Sequence, residues 1–222
     1  MVSVRIAITH AQWDEERRGY MAAITRRLGC LPYEVVKDYD RVYWHTARRA
    51  WEISRTMDET HLLVLSDDML PCDNFCRLLN GALAARPTDI IAIFSMRQAL
   101  PEARQAGLHW VRTSEGAWGG SMVMPAALWH DLLVWERANV QPGYPHDDSR
   151  IKLYAENHGL PIMLTAPALV QHLGAATSLL GFSNSRRVAS WLADGSDIDW
   201  NTDALPRAGG SISHWKQEAL IS

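Results

Sequence analysis

His61-Leu62-Leu63-Val64-Leu65-Ser66-Asp67-Asp68-Met69-Leu70-Pro71 is the stretch that decides the fold, an apolar run that ends in two adjacent carboxylates and is closed by a proline. A run of this length, rich in Leu and Val, predicts a strand that is buried on both faces, as in parallel sheets covered by helices. Ligands of open α/β sheets bind beyond the carboxyl ends of the strands. The two acids are therefore expected where a divalent cation and a phosphorylated ligand would bind. Their alternative role is to cap a turn or a helix.

The first half of the chain alternates between strand and helix patterns. Strands are predicted over residues 2–8, 33–36, 61–65 and 89–94, and helices over residues 13–28, 43–57 and 73–85. The helices are recognised by apolar side chains three and four positions apart, and the first of them ends at Gly29. This order is typical of a Rossmann-like α/β domain with right-handed crossovers.

The second half is less regular. Residues 96–109 are irregular and polar and are expected to form a functional loop. Short strands are predicted over 110–113, 121–125 and 161–164, with helices over 126–137 and 147–158. Residues 175–222 are weakly periodic and rich in Ser, Gly and Asp. We therefore predict a catalytic domain over residues 1–174 and a C-terminal tail over 175–222 that packs on the domain or closes over its site as a lid.

Composition excludes several classes of function. The 222 residues fit one domain, and the net charge of -3 argues against a general polyanion-binding surface, although a local basic groove remains open. The chain contains neither G-x-G-x-x-G nor G-x-x-x-x-G-K-[ST], which disfavours dinucleotide enzymes and P-loop NTPases. No signal peptide and no apolar stretch of about 20 residues is recognisable. The protein is thus expected to be soluble and cytoplasmic, in the host cytoplasm if it is phage-encoded.

Three further motifs follow the acid pair. They are Trp118-Gly119-Gly120 before a strand, His146-Asp147-Asp148-Ser149-Arg150-Ile151 at a helix start, and Val170-Gln171-His172-Leu173-Gly174. Together with Leu65-Ser66-Asp67-Asp68 as a D-x-D-type motif, they resemble the GT-A fold glycosyltransferases, which use nucleotide-sugar donors. The resemblance covers roughly residues 2–180. It implies a single α/β domain with a mixed, mainly parallel sheet flanked by helices.

The resemblance also implies a divalent metal that neutralises the diphosphate leaving group. Asp68 would bind this metal, and Asp67 would reach the ribose or a metal-bound water. His172 would supply a nitrogen ligand from another strand end. Manganese is expected rather than magnesium, because it tolerates a mixed carboxylate and imidazole ligand set better.

The family's catalytic acid matches Asp148 best, and Asp147 is the close alternative. Such an acid deprotonates the acceptor hydroxyl, and adjacent acids can have separated pKa values that leave one of them ionised as a base. A base implies inversion at the anomeric carbon, whereas a retaining relative could use these acids for binding alone. Capping of a helix start accounts for only one of the two acids.

Residues that follow the first two strands are expected to contact the donor, for which UDP-sugars are the most frequent choice in such enzymes. The predicted donor-binding residues are Thr9, His10, Asp38 or Asp40, Arg48, Asp67, and Arg186 with Arg187. The predicted acceptor-binding residues are Trp118, Gly119 and Gly120.

The acceptor itself is expected to be a glycan or another hydroxyl compound. A hydroxylated base in modified DNA is the second choice, for which Arg48, Arg49, Arg186 and Arg187 would have to cluster. A non-catalytic module that binds sugar nucleotides is the alternative outside the enzymes.

Overall fold

The computed structural model describes residues 2–29, 31–96, 99–114, 117–173, 188–207 and 220. Its strands are β1 (Val4–His10), β2 (Tyr33–Lys37), β3 (His61–Ser66), β4 (Met69–Pro71), β5 (Ile90–Ala92), β6 (Trp110–Thr113), β7 (Ser121–Pro125), β8 (Ile162–Thr165), β9 (Val170–His172) and β10 (Ala204–Arg207). Its α-helices are α1 (Glu15–Leu28), α2 (Tyr43–Glu52), α3 (Phe75–Ala85), α4 (Ala99–Gln105), α5 (Ala126–Asn139) and α6 (Asp147–Asn157). A short 3-10 helix, Ile53–Arg55, extends α2.

Eight strands form one mixed sheet in the order β10-β6-β8-β5-β7-β3-β1-β2. β1 pairs in parallel with β2 and β3, and β5 pairs in parallel with β8. β7 lies antiparallel between β3 and β5, β6 runs antiparallel to β8, and β10 pairs in parallel with β6. The chain is therefore a mixed α/β domain with a mainly parallel sheet, as predicted. The antiparallel strand β7 separates the parallel strands β1, β2 and β3 from the parallel pair β5 and β8.

The strand β3 lies between two apolar layers, one on each face of the sheet. Leu62 and Val64 pack on one face of the sheet with side chains of α2, α5 and α6. Leu63 and Leu65 pack on the other face with side chains of α1 and α3. All four are fully buried. Successive side chains of a strand point to opposite faces, so a continuous apolar run fits a strand covered on both sides.

Two expectations need correction. The segment predicted as an irregular loop over 96–109 contains α4, and Ala99, Leu100 and Ala103 on this helix are buried in the core. The predicted tail also contributes to the domain itself, because β10 is a strand of the main sheet and the Trp200 side chain is buried. In both segments, burial against distant parts of the chain stabilises elements whose local pattern is weak.

None of the helices in the described part of the chain is both long enough and apolar enough to cross a membrane.

Candidate functional site

The acid pair lies at the carboxyl end of β3, where the chain leaves the main sheet. Directly after the acids, β4 pairs antiparallel with β9, so that Met69 lies opposite His172. This pairing places the His172 Nε2 atom 3.3 Å from Asp68 Oδ2. Asp68 and His172, predicted as partners at one site, are thus brought together by a two-stranded sheet that sequence patterns did not predict.

The Asp67 carboxylate is buried and accepts hydrogen bonds from three groups. Oδ2 accepts from the Ala11 backbone N–H at 2.7 Å and from His10 Nδ1 at 2.8 Å. Oδ1 accepts from Arg17 Nη1 at 2.5 Å. Charge-assisted hydrogen bonds of this kind are among the stronger ones in proteins, so they hold the carboxylate in one orientation. Asp67 therefore ties the end of β3 to the loop after β1 and to α1.

Arg17 is the residue that joins the two acids. Its Nη2 donates to Asp68 Oδ2 at 2.7 Å while its Nη1 donates to Asp67, and the side chain is buried. Burial disfavours the charged guanidinium, but the charges of Asp68 and Asp67 outweigh it and raise the pKa of Arg17. Burial likewise acts to raise the pKa of Asp68, yet the His172 hydrogen bond and the Arg17 charge hold that pKa below its ordinary value.

A narrow pocket of about 10 Å³, roughly the space of one water molecule, lies beside this cluster at the carboxyl ends of β1, β2 and β3. Four of the predicted donor-binding residues line it: Thr9, His10, Asp38 and Asp67. The other lining residues are Ala11, Arg17, Tyr43 and Thr46. The pocket lies where open α/β sheets bind their ligands. Of the two acids considered after β2, Asp38 belongs to the pocket.

Asp38 is held in place by two hydrogen bonds. Its Oδ1 accepts from the Arg41 backbone N–H at 2.9 Å, and its Oδ2 accepts from Trp13 Nε1 at 3.3 Å. Asp40 instead lies outside the pocket, on an exposed turn where its Oδ2 is 2.7 Å from His45 Nδ1. The Trp13 side chain therefore contacts one of the residues that line the pocket.

On its other side the pocket is joined to the second acid pair through Tyr43. The Tyr43 hydroxyl is 3.4 Å from Ser66 Oγ, at the end of β3. Burial raises the pKa of Tyr43 well above its ordinary value, and the nearby charge of Asp147 raises it further. Tyr43 therefore connects the end of β3 with the start of α6.

Asp147 is a buried carboxyl group at the first turn of α6. Burial and the neighbouring charge of Asp148 raise the pKa of Asp147 to about 7, although a hydrogen bond with Tyr43 acts in the opposite direction. Its Oδ2 atom has no hydrogen-bond partner within the described ranges. A buried carboxyl that is not fully hydrogen-bonded takes up a proton more readily than a solvated one.

The glycine pair makes room for these side chains. A Cβ atom at Gly119 would overlap the Asp147 carboxylate, and one at Gly120 would overlap the Ser66 hydroxyl. These glycines were predicted to contact the acceptor. The structure instead places them against two side chains of the protein, and whether they also contact an acceptor stays a prediction.

Asp148 differs from its neighbour. It is only partly buried, and its Oδ1 accepts from the Ser149 backbone N–H at 2.7 Å. Burial raises the pKa of Asp148 above its ordinary value, while the hydrogen bond from Ser149 acts to lower it. The two acids of one motif therefore have different surroundings.

Arg150 fixes the start of α6. Its side chain is fully buried, and Nη1 donates to Glu136 Oε2 at 2.7 Å while Nη2 donates to the Tyr144 carbonyl at 2.5 Å. The guanidinium also lies 3.7 Å from the centre of the Trp44 ring. These contacts join α6 to α5 and α2, so they hold Asp147 in position.

One predicted donor contact, Arg48, is not at the pocket. Arg48 does not line it, and its Nε atom lies 3.6 Å from Glu136 Oε1 and 3.8 Å from Glu52 Oε1, between α2 and α5. Arg186 lies outside the described residues, as does Arg187. The Arg48 side chain was expected above the sheet edge, but two acidic partners on neighbouring turns and helices hold it elsewhere.

Trp118, the predicted acceptor residue, packs edge-on against Phe94 with ring centroids 5.9 Å apart. Phe94 in turn lies 6.2 Å from the His172 ring. Trp118 is only partly buried, so part of its surface faces solvent at the same end of the sheet.

The side chains in this arrangement do not fit a divalent ion. Among the residues that the structure describes, no group of three His, Cys, Asp or Glu side chains is placed to hold one. Asp67 accepts from three N–H groups, and Asp68 Oδ2 is shared by Arg17 and His172. In this arrangement the positive charge beside the acids comes from Arg17. The manganese ion stays a prediction.

The sequence analysis missed Arg17, Tyr43 and Ser66. For Arg17 a signal was available, since it occupies the same helix face as Ile24 and Leu28, seven and eleven positions later, and all three are buried. A charged residue on the buried face of a helix that follows β1 has to meet a partner at the carboxyl end of the sheet. Tyr43 gave no comparable signal.

No family model and no curated protein matches this sequence. Among solved structures, A197 from STIV is similar in fold, with a TM-score of 0.51 over 90% of this chain and 98% of that chain. The two sequences are 9% identical over this similarity. The likeness supports the mixed α/β architecture, and at this identity it concerns the fold alone.

Proposed function

We propose that this protein is a glycosyltransferase that moves a sugar from a nucleotide-sugar donor, with a UDP-sugar as first choice, to a hydroxyl acceptor, with a glycan as first choice. One observation carries the proposal. A pocket at the carboxyl ends of β1, β2 and β3 is joined through Tyr43 to Asp147, a buried carboxyl whose pKa is raised to about 7. The carboxyl ends of the strands are where open α/β sheets bind ligands, and a group suited to proton transfer beside them is the arrangement that this reaction requires.

The reaction needs a general base that takes the proton from the acceptor hydroxyl. A general base works best when its pKa lies near the working pH, and Asp147 meets this condition. Its Oδ2 has no hydrogen-bond partner in the described structure, whereas Asp148 already accepts a bond from Ser149. We therefore favour Asp147 over Asp148 as the group that takes the proton from the acceptor hydroxyl. A base in this role corresponds to inversion at the anomeric carbon.

The donor pocket contains groups that suit a nucleotide. His10 and Arg17 can donate to phosphate or ribose oxygens, and the Asp38 carboxylate can accept from a base or a ribose hydroxyl. Ligands of open α/β sheets bind at this end of the strands. These contacts support a nucleotide-sugar donor.

A glycan acceptor remains preferred over DNA. DNA would need a groove of unpaired cations. Arg48 faces Glu52 and Glu136, and Arg49 donates to the Lys37 carbonyl at 2.9 Å. These two arginines therefore give no support to a DNA-binding surface.

The test is a panel of nucleotide sugars, each in EDTA and in manganese, with thermal stabilisation as the binding readout and release of nucleoside diphosphate as the turnover readout. A ligand that binds only the folded state raises its stability. We expect one class of donor to stabilise the protein, and Asp147→Asn to keep that stabilisation but lose turnover.

Asp148→Asn is the matched comparison, because it removes a charge from the next position of the same helix. Full turnover in Asp147→Asn with loss in Asp148→Asn would move the base to Asp148. Absence of any stabilisation and of any turnover across the panel would contradict the proposed function and favour a different ligand class.

A further inference from the structure

Arg17 is a buried helix arginine that contacts both acids at the end of β3. It is 5% exposed and donates to two adjacent carboxylates, Asp67 and Asp68, at 2.5 and 2.7 Å. A guanidinium cannot lose its proton under ordinary conditions, so its charge in this place is permanent. The acid pair therefore has a resident cation provided by the chain.

The backbone around Arg17 fixes this position. Asp14 caps α1 and accepts a hydrogen bond from the Arg17 backbone N–H at 3.1 Å. Ile24 and Leu28 bury the same helix face against the sheet. Arg17 consequently reaches the acids from a helix that is anchored at its first turn and along its length.

Arg17 also lines the pocket, together with His10. A guanidinium carries five N–H groups, and the bonds to Asp67 and Asp68 use two of them. Planar guanidinium groups are well suited to phosphate oxygens. A phosphate bound at the mouth of this narrow pocket would thus meet a cation that is held in place by the acids behind it.

A divalent ion would compete with Arg17 for the same oxygens. One oxygen of Asp67 and one of Asp68 already accept from Arg17, and His172 Nε2 faces the same Asp68 oxygen. A dication in that place would also lie beside a guanidinium that keeps its charge. A divalent ion and Arg17 therefore compete for these two oxygens.

From these contacts we infer that Arg17 takes the place of a metal ion, so that the phosphates of the ligand bind against its guanidinium without a divalent cation. This inference rests on the proposed function for the identity of the ligand as a nucleotide sugar. The contact itself requires only a phosphate-bearing anion. Arg17 is accordingly a ligand-binding residue, and Asp67 and Asp68 position it.

The experiment measures binding of inorganic pyrophosphate and of UDP to the full chain by calorimetry, once in EDTA and once with manganese. Wild-type protein should bind both probes with the same affinity in the two buffers. Arg17→Met should weaken binding by about 10- to 100-fold, the usual loss for a charge-assisted hydrogen bond. Arg17→Lys keeps the positive charge but not the planar set of N–H donors, and it should lose less binding affinity than Arg17→Met.

The control is Arg18→Met, on the next position of the same helix. Arg18 is exposed and donates to the Gln12 carbonyl at 3.1 Å, so its removal should leave binding unchanged. Manganese alone is the second probe. Wild type should show no saturable binding of it, and Arg17→Met should gain binding, because the acids lose their resident cation.

Saturable manganese binding by the wild type, combined with probe binding that disappears in EDTA, would overturn the inference. That comparison needs no variant, so it decides the question even if Arg17→Met does not fold. Failure of the proposed function has a different signature. In that case pyrophosphate binds in EDTA through Arg17, but no nucleotide sugar is bound or turned over.

Discussion

Asp147→Asn should make the protein more stable at neutral and alkaline pH while it removes turnover. The Asp147 pKa is raised from 3.8 to about 7, chiefly by burial. Between these two values the folded state keeps a proton that the unfolded state has lost. The stability of the wild type therefore falls as the pH rises through this window and becomes level above the folded pKa.

The size of the effect follows from the shift. A change of about three pKa units corresponds to a free energy on the order of 4 kcal/mol. Asparagine does not titrate, so the variant lacks this loss. The difference in unfolding free energy, variant minus wild type, should increase by that amount between about pH 4 and about pH 7 and then stay level. Any cost of the new amide group is the same at every pH and leaves the slope unaffected.

Urea unfolding followed by tryptophan fluorescence measures this difference, and the ten tryptophans give a strong signal. Asp131→Asn is the control, since it makes the same chemical change on the exposed side of α5. It should leave the pH profile of the wild type unchanged. Parallel profiles for Asp147→Asn and wild type would refute the reasoning, because Asp147 would then titrate alike in the folded and unfolded chains and would lose its special suitability as a base.

Three further predictions concern the support of the site. Gly119→Ala should displace the Asp147 carboxylate and reduce turnover by about 100-fold or more, with donor binding retained in calorimetry, and normal turnover would contradict this packing. Arg150→Met should lower the free energy of unfolding by about 3–5 kcal/mol in urea, because the buried Glu136 loses its close partner and keeps only Arg48 at 3.6 Å, and Glu136→Gln in the same chain should recover part of the loss. Asp67→Asn should also lose about 3 kcal/mol in the same assay, since the buried Arg17 keeps only one of its two carboxylate partners, and an unchanged midpoint would show that the Arg17–Asp67 pair does not stabilise the fold.

Local patterns predicted much of the architecture. The run Leu62 to Leu65 indicated a strand covered on both faces, and its side chains divide between the two layers. Helical spacing and the glycine at position 29 indicated α1, which ends at Leu28. These features depend on residues a few positions apart, where the period of burial follows from the geometry of one element. The four predicted donor-binding residues at the carboxyl ends of β1, β2 and β3 also line one pocket, because parallel strands end at the same edge.

Sequence patterns did not predict the elements whose stability comes from distant partners. α4 is a short helix, and β10 completes the sheet next to β6 although it comes more than 90 positions later in the chain. β7 enters the sheet antiparallel between β3 and β5, which no local feature specifies. In each case burial by the rest of the molecule decides the conformation, and single-sequence periodicity contains no information about it.

By itself, the sequence determined where the chain alternates between strands and helices and that acids stand at the end of β3 and at the start of α6. Only the tertiary structure decided which groups those acids meet. Arg17 reaches Asp67 across 50 positions of sequence, and Asp147 is enclosed by Gly119 and Tyr43. The physical reason is that a residue's pattern reports whether it is buried, whereas its charge state and chemistry depend on the particular partners that folding brings within hydrogen-bond distance.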